Sequence, residues 1–321
     1  MSEAIQRRGD GRVAVVILNY NNYKDTVECV DGILDISFLD IVLVDNLSSD
    51  GSGNRLLERY KNQKNVAYIQ SHQNCGYASG NNYGIRYVLD KLKDEYICVL
   101  NNDTLPTREM FEALISCLNS NPEYGIVGPV ILDGVEGDAI QSAGADIHFI
   151  TGKVPARHAG ERYVASNLVD ACAYISGACL LFRAEDSARL GPIPECYFLF
   201  FEETEWCLRA NNSGLKVACV WACSLMHKGS ATISAHRGLG NYLSVRSRAL
   251  FAKRNDNHLQ LLLFKLYQRA DVYLRHKIKR EDCLWELSAL QDGFNGRVDS
   301  EYSYIHFSST SRPGISSETS R

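Results

Sequence analysis

The chain has 321 residues, of which 45% are hydrophobic and 22% are charged, enough apolar material for a large core. A formal net charge of -4 argues against a nucleic-acid partner, which normally needs a basic face. No run reaches the roughly 18 to 20 apolar residues that cross a bilayer, and no secretory signal is visible. Eleven irregularly spaced cysteines are typical of reduced, buried thiols. We therefore expect a cytoplasmic protein that contacts membranes only peripherally.

The first half of the chain alternates short apolar runs with helical patterns, which predicts an α/β fold with a mainly parallel sheet. The runs are Val13 to Leu18, Ile41 to Val44, Val66 to Ile69 and Tyr96 to Leu100. Ligands of such sheets gather beyond the carboxyl ends of the strands. Each run is followed by polar residues rich in Asn and Asp, so we interpret the four ends as one shared site, with separate turns as the alternative.

The second half predicts the remaining strands of a mixed sheet and a helical extension. Between Gly125 and Leu181 the runs are shorter and rich in glycine, and we expect them to complete the sheet and shape a second pocket. A helix over Glu202 to Asn212 is followed by a strand over Lys216 to Trp221. We expect a catalytic domain over residues 1–255, with halves of about 11–120 and 121–255. A helical extension over 256–300 and a disordered tail over 301–321 follow it.

The extension carries a helical pattern over residues 257–280 that has one apolar side and a basic end. Leu259, Leu262, Leu263, Leu266 and Tyr267 form the apolar side. This pattern predicts peripheral contact with an anionic membrane. The alternative is a helix that packs on the core and leaves its basic end in solvent.

Asp103 follows the fourth run within Asn101-Asn102-Asp103-Thr104, where a carboxylate could bind a divalent cation that bridges a diphosphate. The alternative is an aspartate that caps the helix beginning near Thr107. His227 is a candidate partner ligand, because neutral imidazole binds Mn²⁺, and Lys228 beside it could meet phosphate oxygens. A lone histidine at a strand end is also often structural.

Three glutamates begin the helix at 202, and a general base needs such a carboxylate at a pocket wall. Glu205 and Arg209 have the spacing of an ion pair, so Glu205 is expected to be structural. Glu202 and Glu203 remain candidate bases. Aromatic neighbours would raise their pKa and the helix dipole would lower it, so the sequence leaves the direction open.

Taken together, these segments resemble the family 2 glycosyltransferases with the GT-A fold, especially the bacterial rhamnosyltransferase-like branch that builds cell-surface polysaccharides such as O-antigen. The resemblance runs in order over residues 13 to about 255. Its segments are Val15 to Asn21, Val44 to Gly51, Asn74 to Gly84, Leu100 to Thr104, Ser176 to Ala178, Phe201 to Glu203 and His227 to Gly229. This GT-A fold is a Rossmann-like mixed sheet flanked by helices.

The resemblance implies a role for each matched residue. Leu18, Asn19, Tyr20 and Asp45 would hold the base and ribose. The segment from Asn74 to Gly84 would close over the donor through Asn74, Gly76, Gly80 and Asn82. Its glycines would let the backbone approach the donor closely. Asn102 and Lys228 would also bind the donor, and Asp103 and His227 would hold Mn²⁺ or Mg²⁺. The base would be Glu203 or Glu202, where the family usually has aspartate at the second position. The metal segment is also poorer in aspartate than is usual.

The resemblance further implies an inverting enzyme that uses a dTDP- or UDP-sugar, with dTDP-rhamnose as the best choice. A UDP-dependent hexosyl-, N-acetylhexosaminyl- or galactofuranosyltransferase is the alternative, and a noncatalytic sugar-nucleotide-binding module is a more distant one. The acceptor would be a cell-surface polysaccharide or a lipid-linked oligosaccharide at the inner face of the cytoplasmic membrane. A nicotinamide enzyme is disfavoured, because no G-x-G-x-x-G segment follows a strand. The oligomeric state stays open.

Overall fold

The computed structural model describes residues 11–134, 137–229, 237–278 and 283–297. The predicted tail over 301–321 and the last two residues of the predicted basic helix lie outside these ranges. The described chain forms two compact units. The first comprises residues up to 147, 154–195 and 202–229, and the second comprises 148–153, 196–201 and the residues from 237 onwards. The second unit thus begins before residue 255, and the domain limits drawn from the sequence stay a prediction.

The first unit contains a mixed sheet in which ten strands are described. They are β1 Val13–Asn19, β2 Leu39–Asp45, β3 Val66–Gln70, β4 Tyr96–Asn101, β5 Thr104–Leu105, β6 Tyr124–Asp133, β7 Ile140–Ser142, β8 Val169–Cys172, β9 Cys179–Arg183 and β10 Lys216–His227. The main order is β3-β2-β1-β4-β9-β6-β10-β5, with β7 beside β6 and β8 beside β10. The α/β fold class with a mixed, mainly parallel sheet is confirmed.

Strand direction brings the predicted polar ends to one edge. β1 pairs in parallel with β2 and β4, and β2 pairs in parallel with β3. β9 is antiparallel to both β4 and β6, and β10 is parallel to β6. The carboxyl ends of β1, β2, β3, β4, β6 and β10 therefore face the same side of the unit, where α/β sheets bind ligands.

Helices cover both faces of this sheet. The helices of the first unit are α1 Tyr23–Ile33, α2 Ser52–Tyr60, α3 Gly76–Tyr87, α4 Arg108–Ser120, α5 Ser187–Leu190 and α6 Glu202–Asn212. Alternate residues of β1 enter different cores: Val15 and Ile17 pack with α1, α2 and α4, whereas Val16 packs with α3 and α6. Because the sheet is buried on both faces, nearly all residues of these strands are apolar, and they form continuous apolar runs in the sequence.

Two glycines let α3 lie against β1. A Cβ at Gly80 would be 2.4 Å from Leu18 Cδ1, and one at Gly84 would be 2.4 Å from Val16 Cγ1. The close approach at Gly80 is therefore made by a strand side chain of the protein itself. The family resemblance implies that Gly80 allows the backbone to approach the donor closely, and that contact stays a prediction.

Two strands extend further than the apolar patterns indicate. β6 has ten residues, although short runs were expected after Gly125. β10 continues from the predicted end at Trp221 to His227, with a register irregularity between Val220 and Ser224. The irregularity interrupts the regular pattern, which is why the sequence interpretation ended this strand early.

The second unit contains α7 Arg237–Asn255, α8 His258–Ile278 and α9 Trp285–Asn295. A Cβ at Gly293 would be 2.2 Å from the Arg246 carbonyl oxygen, so α9 packs on the α7 backbone. Buried Arg246 and Ser247 of α7 donate to the carbonyls of Tyr197 and Leu199, in a segment where Phe198, Phe200 and Phe201 all have positive φ. Within the described residues, no helix is long and apolar enough to span a membrane.

Candidate active site

Asn19 and Asp45, at the ends of β1 and β2, are fully buried and bonded to each other. Asn19 Nδ2 donates to Asp45 Oδ1 at 2.9 Å, and its Oδ1 accepts from Thr26. Asp45 also accepts from the Ser48 hydroxyl and from Gln70 Nε2. Both side chains are thus satisfied by protein partners. The geometry gives them a supporting role under the predicted nucleotide pocket, and their direct contact with the base or ribose stays a prediction.

The loop that follows β2 carries a backbone feature missed by the sequence analysis. Leu47 has φ 58 and is 46% exposed, an unusual conformation for a branched residue that often marks a functional site. Next to it, Asn46 Nδ2 donates to Asn74 Oδ1 at 2.9 Å, and Gly76 N donates to the same oxygen at 3.0 Å. Gly76 has φ 88 and begins α3. Asn46 and Asn74 therefore join the ends of β2 and β3 at the predicted donor site.

Asn82 anchors a loop. Its Nδ2 donates to the Ile193 carbonyl and to Glu195 Oε1, each at 2.8 Å, and its Oδ1 accepts from Ile193 N at 3.0 Å. The residue is 2% exposed. These bonds give Asn82 a structural role in holding the loop at Ile193. Its contact with the donor stays a prediction. Leu18 and Tyr20, by contrast, are partly exposed beside the strand ends.

Asp103 occupies the turn between β4 and β5. Its carbonyl accepts from Lys228 N at 2.9 Å, and the β5–β10 register pairs Thr104 with His227. The alternative that Asp103 caps the following helix is wrong, because Thr107 Oγ1 accepts from Met110 N and is the N-cap of α4. The side chain of Asp103 instead faces His227.

The side chains of Asp103 and His227 face each other through two buried polar atoms. Asp103 Oδ1 lies 3.3 Å from His227 Nε2, and neither atom has a hydrogen-bond partner. Gln141 Oε1 lies 2.9 Å from His227 Nδ1. An amide oxygen only accepts, so this contact is a hydrogen bond when Nδ1 carries the hydrogen, and the neutral tautomer of that kind directs the Nε2 lone pair at the carboxylate. Two acceptors at this distance require a proton on Nε2 or a bound cation between them.

The chemistry of this pair fits a divalent metal. Carboxylate and neutral imidazole are both ligands of such ions, and a histidine ligand typically donates its other N–H to a neighbouring acceptor, a position that Gln141 Oε1 occupies beside His227 Nδ1. In the described ranges, no group of three His, Cys, Asp or Glu residues could hold a metal. Two ligands from the protein leave coordination positions for oxygens of a bound diphosphate and water.

Lys228 and Asn102 already have partners in the first unit. Lys228 Nζ contacts Asp25 Oδ1 at 3.0 Å and Glu28 Oε2 at 2.6 Å. Burial opposes the charge, but both carboxylates raise the pKa of Lys228 and keep it protonated. Asn102 Nδ2 donates to Thr26 Oγ1 at 2.7 Å. Both residues lie at the ligand-binding edge, and their contacts with a donor stay predictions.

Glu203 lies in a pocket of tyrosines at the start of α6. Its Oε1 accepts from the Tyr174 hydroxyl at 3.2 Å, while Oε2 is shielded from solvent without a hydrogen-bond partner. Burial raises the pKa of Glu203 above the ordinary value of 4.5, although its own backbone N–H and Tyr174 act in the opposite direction. This settles the direction that the sequence left open.

Gly177 connects this carboxylate to the strand edge. A Cβ at Gly177 would be 3.1 Å from Glu203 Cγ and 3.2 Å from Tyr77 Oη, so a larger residue would displace them. Tyr77 donates to the Gly177 carbonyl at 2.7 Å, and the next carbonyl, of Ala178, accepts from Asn101 N. Glu203 is thus linked through this segment to the turn that carries Asp103.

The other two acidic residues of α6 are buried. Glu205 lies 3.4 Å from Arg209, which confirms the predicted ion pair. Glu202 is 2% exposed, whereas Glu203 is partly exposed. Exposure of the whole residue therefore favours Glu203 over Glu202 as the candidate base, although the Glu203 Oε2 atom itself is shielded from solvent.

The model of the family described as "Glycosyl transferase family 2" matches residues 14–185, more than half of the chain. The chain belongs to this family. The matched range contains Asn19, Asp45 and Asp103, and the sequence-based recognition is confirmed. The protein is a glycosyltransferase.

Three curated relatives agree with this assignment. The low-salt glycan biosynthesis hexosyltransferase Agl10 of Haloferax volcanii is 27% identical over 67% of this chain and 66% of its own length, just under two thirds. The dTDP-rhamnosyl transferase RfbF of Shigella flexneri is 24% identical over 89% of this chain and 97% of its own. An N-acetylglucosaminyl-diphospho-decaprenol L-rhamnosyltransferase of Mycobacterium tuberculosis is 24% identical over 68% of this chain and 75% of its own length.

Two solved structures share the fold. A Pyrobaculum calidifontis mannosyltransferase in complex with GDP-Man and Mn²⁺ has a TM-score of 0.51 at 16% identity, covering 93% of this chain and 79% of its own. GalNAc-T7 with UDP, GalNAc and Mn²⁺ has a TM-score of 0.58 at 13% identity, and the match covers 83% of this chain and 57% of the GalNAc-T7 chain. The predicted GT-A fold is therefore confirmed.

Proposed function

We propose that the protein transfers one sugar, with inversion, from a nucleoside diphosphate donor to a hydroxyl group of a glycan acceptor. The observation that carries this proposal is the pair of buried atoms without a hydrogen-bond partner, Asp103 Oδ1 and His227 Nε2, which face each other at the carboxyl edge of the sheet. A buried carboxylate facing a neutral imidazole is costly unless a ligand compensates it. The Mn²⁺ in two structures of the same fold supports a divalent cation as that ligand.

Asp103 and His227 would hold Mn²⁺ or Mg²⁺. When bound, the ion supplies Lewis-acid stabilisation of the departing diphosphate. Gln141 orients His227 through Nδ1, so the protein sets the direction of its lone pair. With two ligands from the described residues, metal affinity should be low until the donor diphosphate adds its own oxygens.

Glu203 acts as the general base. It accepts the acceptor hydroxyl proton while that oxygen forms a bond to the anomeric carbon. The bond from this carbon to the diphosphate oxygen breaks, and its electron pair leaves with the nucleoside diphosphate. The raised pKa makes Glu203 a better proton acceptor than an ordinary carboxylate, and Tyr174 holds its other oxygen.

The donor is a dTDP- or UDP-sugar, and dTDP-rhamnose is the first choice. The Shigella and Mycobacterium relatives are both named as rhamnosyltransferases, which supports rhamnose. UDP-dependent hexosyl, N-acetylhexosaminyl or galactofuranosyl transfer is the alternative, supported by the Haloferax hexosyltransferase and by UDP in GalNAc-T7. The acceptor is a cell-surface polysaccharide or a lipid-linked oligosaccharide at the inner face of the cytoplasmic membrane, as the decaprenol relative suggests.

Ligand-dependent thermal stability tests this function, because a ligand that binds only the folded protein raises its Tm. We would measure Tm with UDP, dTDP, GDP and NAD, each with and without Mn²⁺. UDP or dTDP should raise Tm, and Mn²⁺ should increase that rise. A response to NAD alone, or to none of the uridine and thymidine nucleotides, would contradict the proposal. Hydrolysis of the donor without acceptor then separates an enzyme from a noncatalytic binding module.

A further inference from the structure

Helix α8 has an apolar face directed to solvent. Its buried contacts are made by Phe264, Gln268 and Val272, and Gln268 Nε2 donates to the Thr151 carbonyl at 2.7 Å. The outward face of α8, as we name it, comprises Leu259, Leu262, Leu266, Arg269, Tyr273, Leu274, Lys277 and Ile278. Its six apolar side chains are each between 50% and 71% exposed. A helix packed on a globular unit normally presents polar residues on the side away from the core.

The apolar surface continues into a groove beside α8. The groove has a volume of about 440 Å³ and lies within the second unit. Its lining consists of Arg269, Val272, Tyr273, His276, Lys277, Leu284 and Leu287. Leu284 and Leu287 are 48% and 42% exposed, so they extend the same patch. Exposed apolar side chains grouped on one helix face and beside a groove are typical of a site of contact with a protein or a membrane.

The charges on this surface are basic. Asp271 is the one acidic residue of α8, and it pairs with Arg275 at 2.9 Å. Arg275 also binds Glu286 at 2.7 Å and is therefore internally neutralised. Arg269 and Lys277 have no carboxylate within ion-pair distance among the residues that the structure describes. Both are exposed on the apolar face and line the groove.

We infer that the outward face of α8 binds the surface of an anionic phospholipid membrane. Leucine, isoleucine and tyrosine side chains would enter the boundary between headgroups and acyl chains, where Arg269 and Lys277 meet lipid phosphates. A second copy of this chain fits less well, because a self-complementary contact through this face would offer no acidic side chain of the face to pair with Arg269 and Lys277. This inference deepens the membrane location proposed above and names the surface responsible.

Vesicle co-sedimentation of the full chain tests the inference. The probe is phosphatidylcholine vesicles with and without phosphatidylglycerol. The protein should bind the anionic vesicles, and the L262S/L266S variant should bind them at least about tenfold more weakly. The matched control is L57S/L89S, which alters two leucines of the first unit that are 40% and 37% exposed and should leave binding unchanged.

A charge pair of variants separates the two contributions. R269Q/K277Q should weaken binding to anionic vesicles and reduce its salt dependence, because phosphate attraction is screened by salt. K64Q/K216Q, at two exposed lysines of the first unit, is the matched control. Binding equal to the parent in both surface variants, or no binding to anionic vesicles by the parent, would overturn the inference. A parental dimer that becomes monomeric in L262S/L266S would also overturn it, in favour of a second copy.

Nucleotide binding keeps this test apart from the test of the proposed function. L262S/L266S should retain the Tm rise with UDP or dTDP and the parental rate of donor hydrolysis in solution, since neither needs a membrane. If vesicle binding fails while the nucleotide response persists, the surface assignment alone is wrong. If the nucleotide response is absent while vesicle binding persists, the proposed transfer reaction is wrong and the surface assignment stands.

Discussion

Two groups of buried polar residues lie along the same edge of the sheet, and they differ in one respect. At the ends of β1 and β2, Asn19 and Asp45 are satisfied by the protein. Further along the edge, Asp103 Oδ1, His227 Nε2 and Glu203 Oε2 are shielded from solvent without partners. A satisfied buried group needs no ligand, whereas an unsatisfied one carries a cost that a bound ligand can remove. This contrast fits the proposal, in which the first group supports the site and the second performs the chemistry.

The largest effect is expected from Asp103→Asn. The change removes a metal ligand and should lower sugar transfer by roughly 10³-fold or more. It also places an amide donor opposite His227 Nε2, so Tm in EDTA should rise above that of the parent. Transfer rates and melting curves measure both effects.

Asp133→Asn is the matched control for this change, because Asp133 ends β6 in register with His227 but is exposed. It should leave both transfer rate and Tm near the parental values. A fall in Tm of the Asp103 variant in EDTA would show that the carboxylate is satisfied without a metal, and would remove the contrast between the two groups.

Glu203→Gln should reduce transfer by about 10² to 10⁴-fold, the usual contribution of a general base. Parental kcat/KM should rise with pH as Glu203 ionises above the ordinary value of 4.5, and the variant should lack this rise. Because the folded-state pKa is raised, Glu203 loses stabilising free energy as pH rises through it. The variant should therefore melt above the parent at neutral pH, with the difference disappearing at acidic pH.

Glu205→Gln provides the comparison within the same helix. Glu205 pairs with Arg209, so its loss should lower Tm and leave the pH profile of transfer unchanged. If the rise of kcat/KM with pH were lost in the Glu205 variant and kept in the Glu203 variant, Glu205 would be the general base and Glu203 the structural residue.

A smaller effect is expected from Gln141→Leu. Removal of the acceptor for His227 Nδ1 should weaken Mn²⁺ binding by about 10 to 100-fold, as is typical when a group that orients a metal ligand is lost. The apparent Mn²⁺ affinity can be read from the metal dependence of the UDP-induced Tm rise. Gln141→Glu keeps an acceptor at this position and should retain metal binding. Equal affinities in all three proteins would exclude Gln141 from the site.

The smallest effect on the reaction is expected from Asn82→Ala. The loss of its three hydrogen bonds should cost about 2 kcal/mol of unfolding free energy. Nucleotide affinity of the folded variant should remain parental, because Asn82 holds the loop at Ile193. Denaturant unfolding and nucleotide titration measure the two quantities separately. Weaker nucleotide binding with unchanged stability would restore the donor contact predicted from the sequence.

The sequence by itself determined the fold class, the first four strands and the position of the ligand-binding edge. Apolar runs bounded by Asn and Asp are a local signal, and parallel strands necessarily bring their carboxyl ends together. The family resemblance carried by segments such as Leu100 to Thr104 also came from the chain alone. These features depend on residues that are close in sequence, so their pattern survives without coordinates.

Only the tertiary structure distinguished buried polar residues that the protein satisfies from those that it leaves without a hydrogen-bond partner. Asn82 and Asp103 look alike in sequence, as polar residues within family segments, but Asn82 is bonded to residues 193 and 195 whereas Asp103 faces His227. Gln141 carries no local signal, because its partner lies 86 positions away. Satisfaction of a buried polar atom depends on contacts between distant segments, and these are set by packing, which the local pattern does not encode.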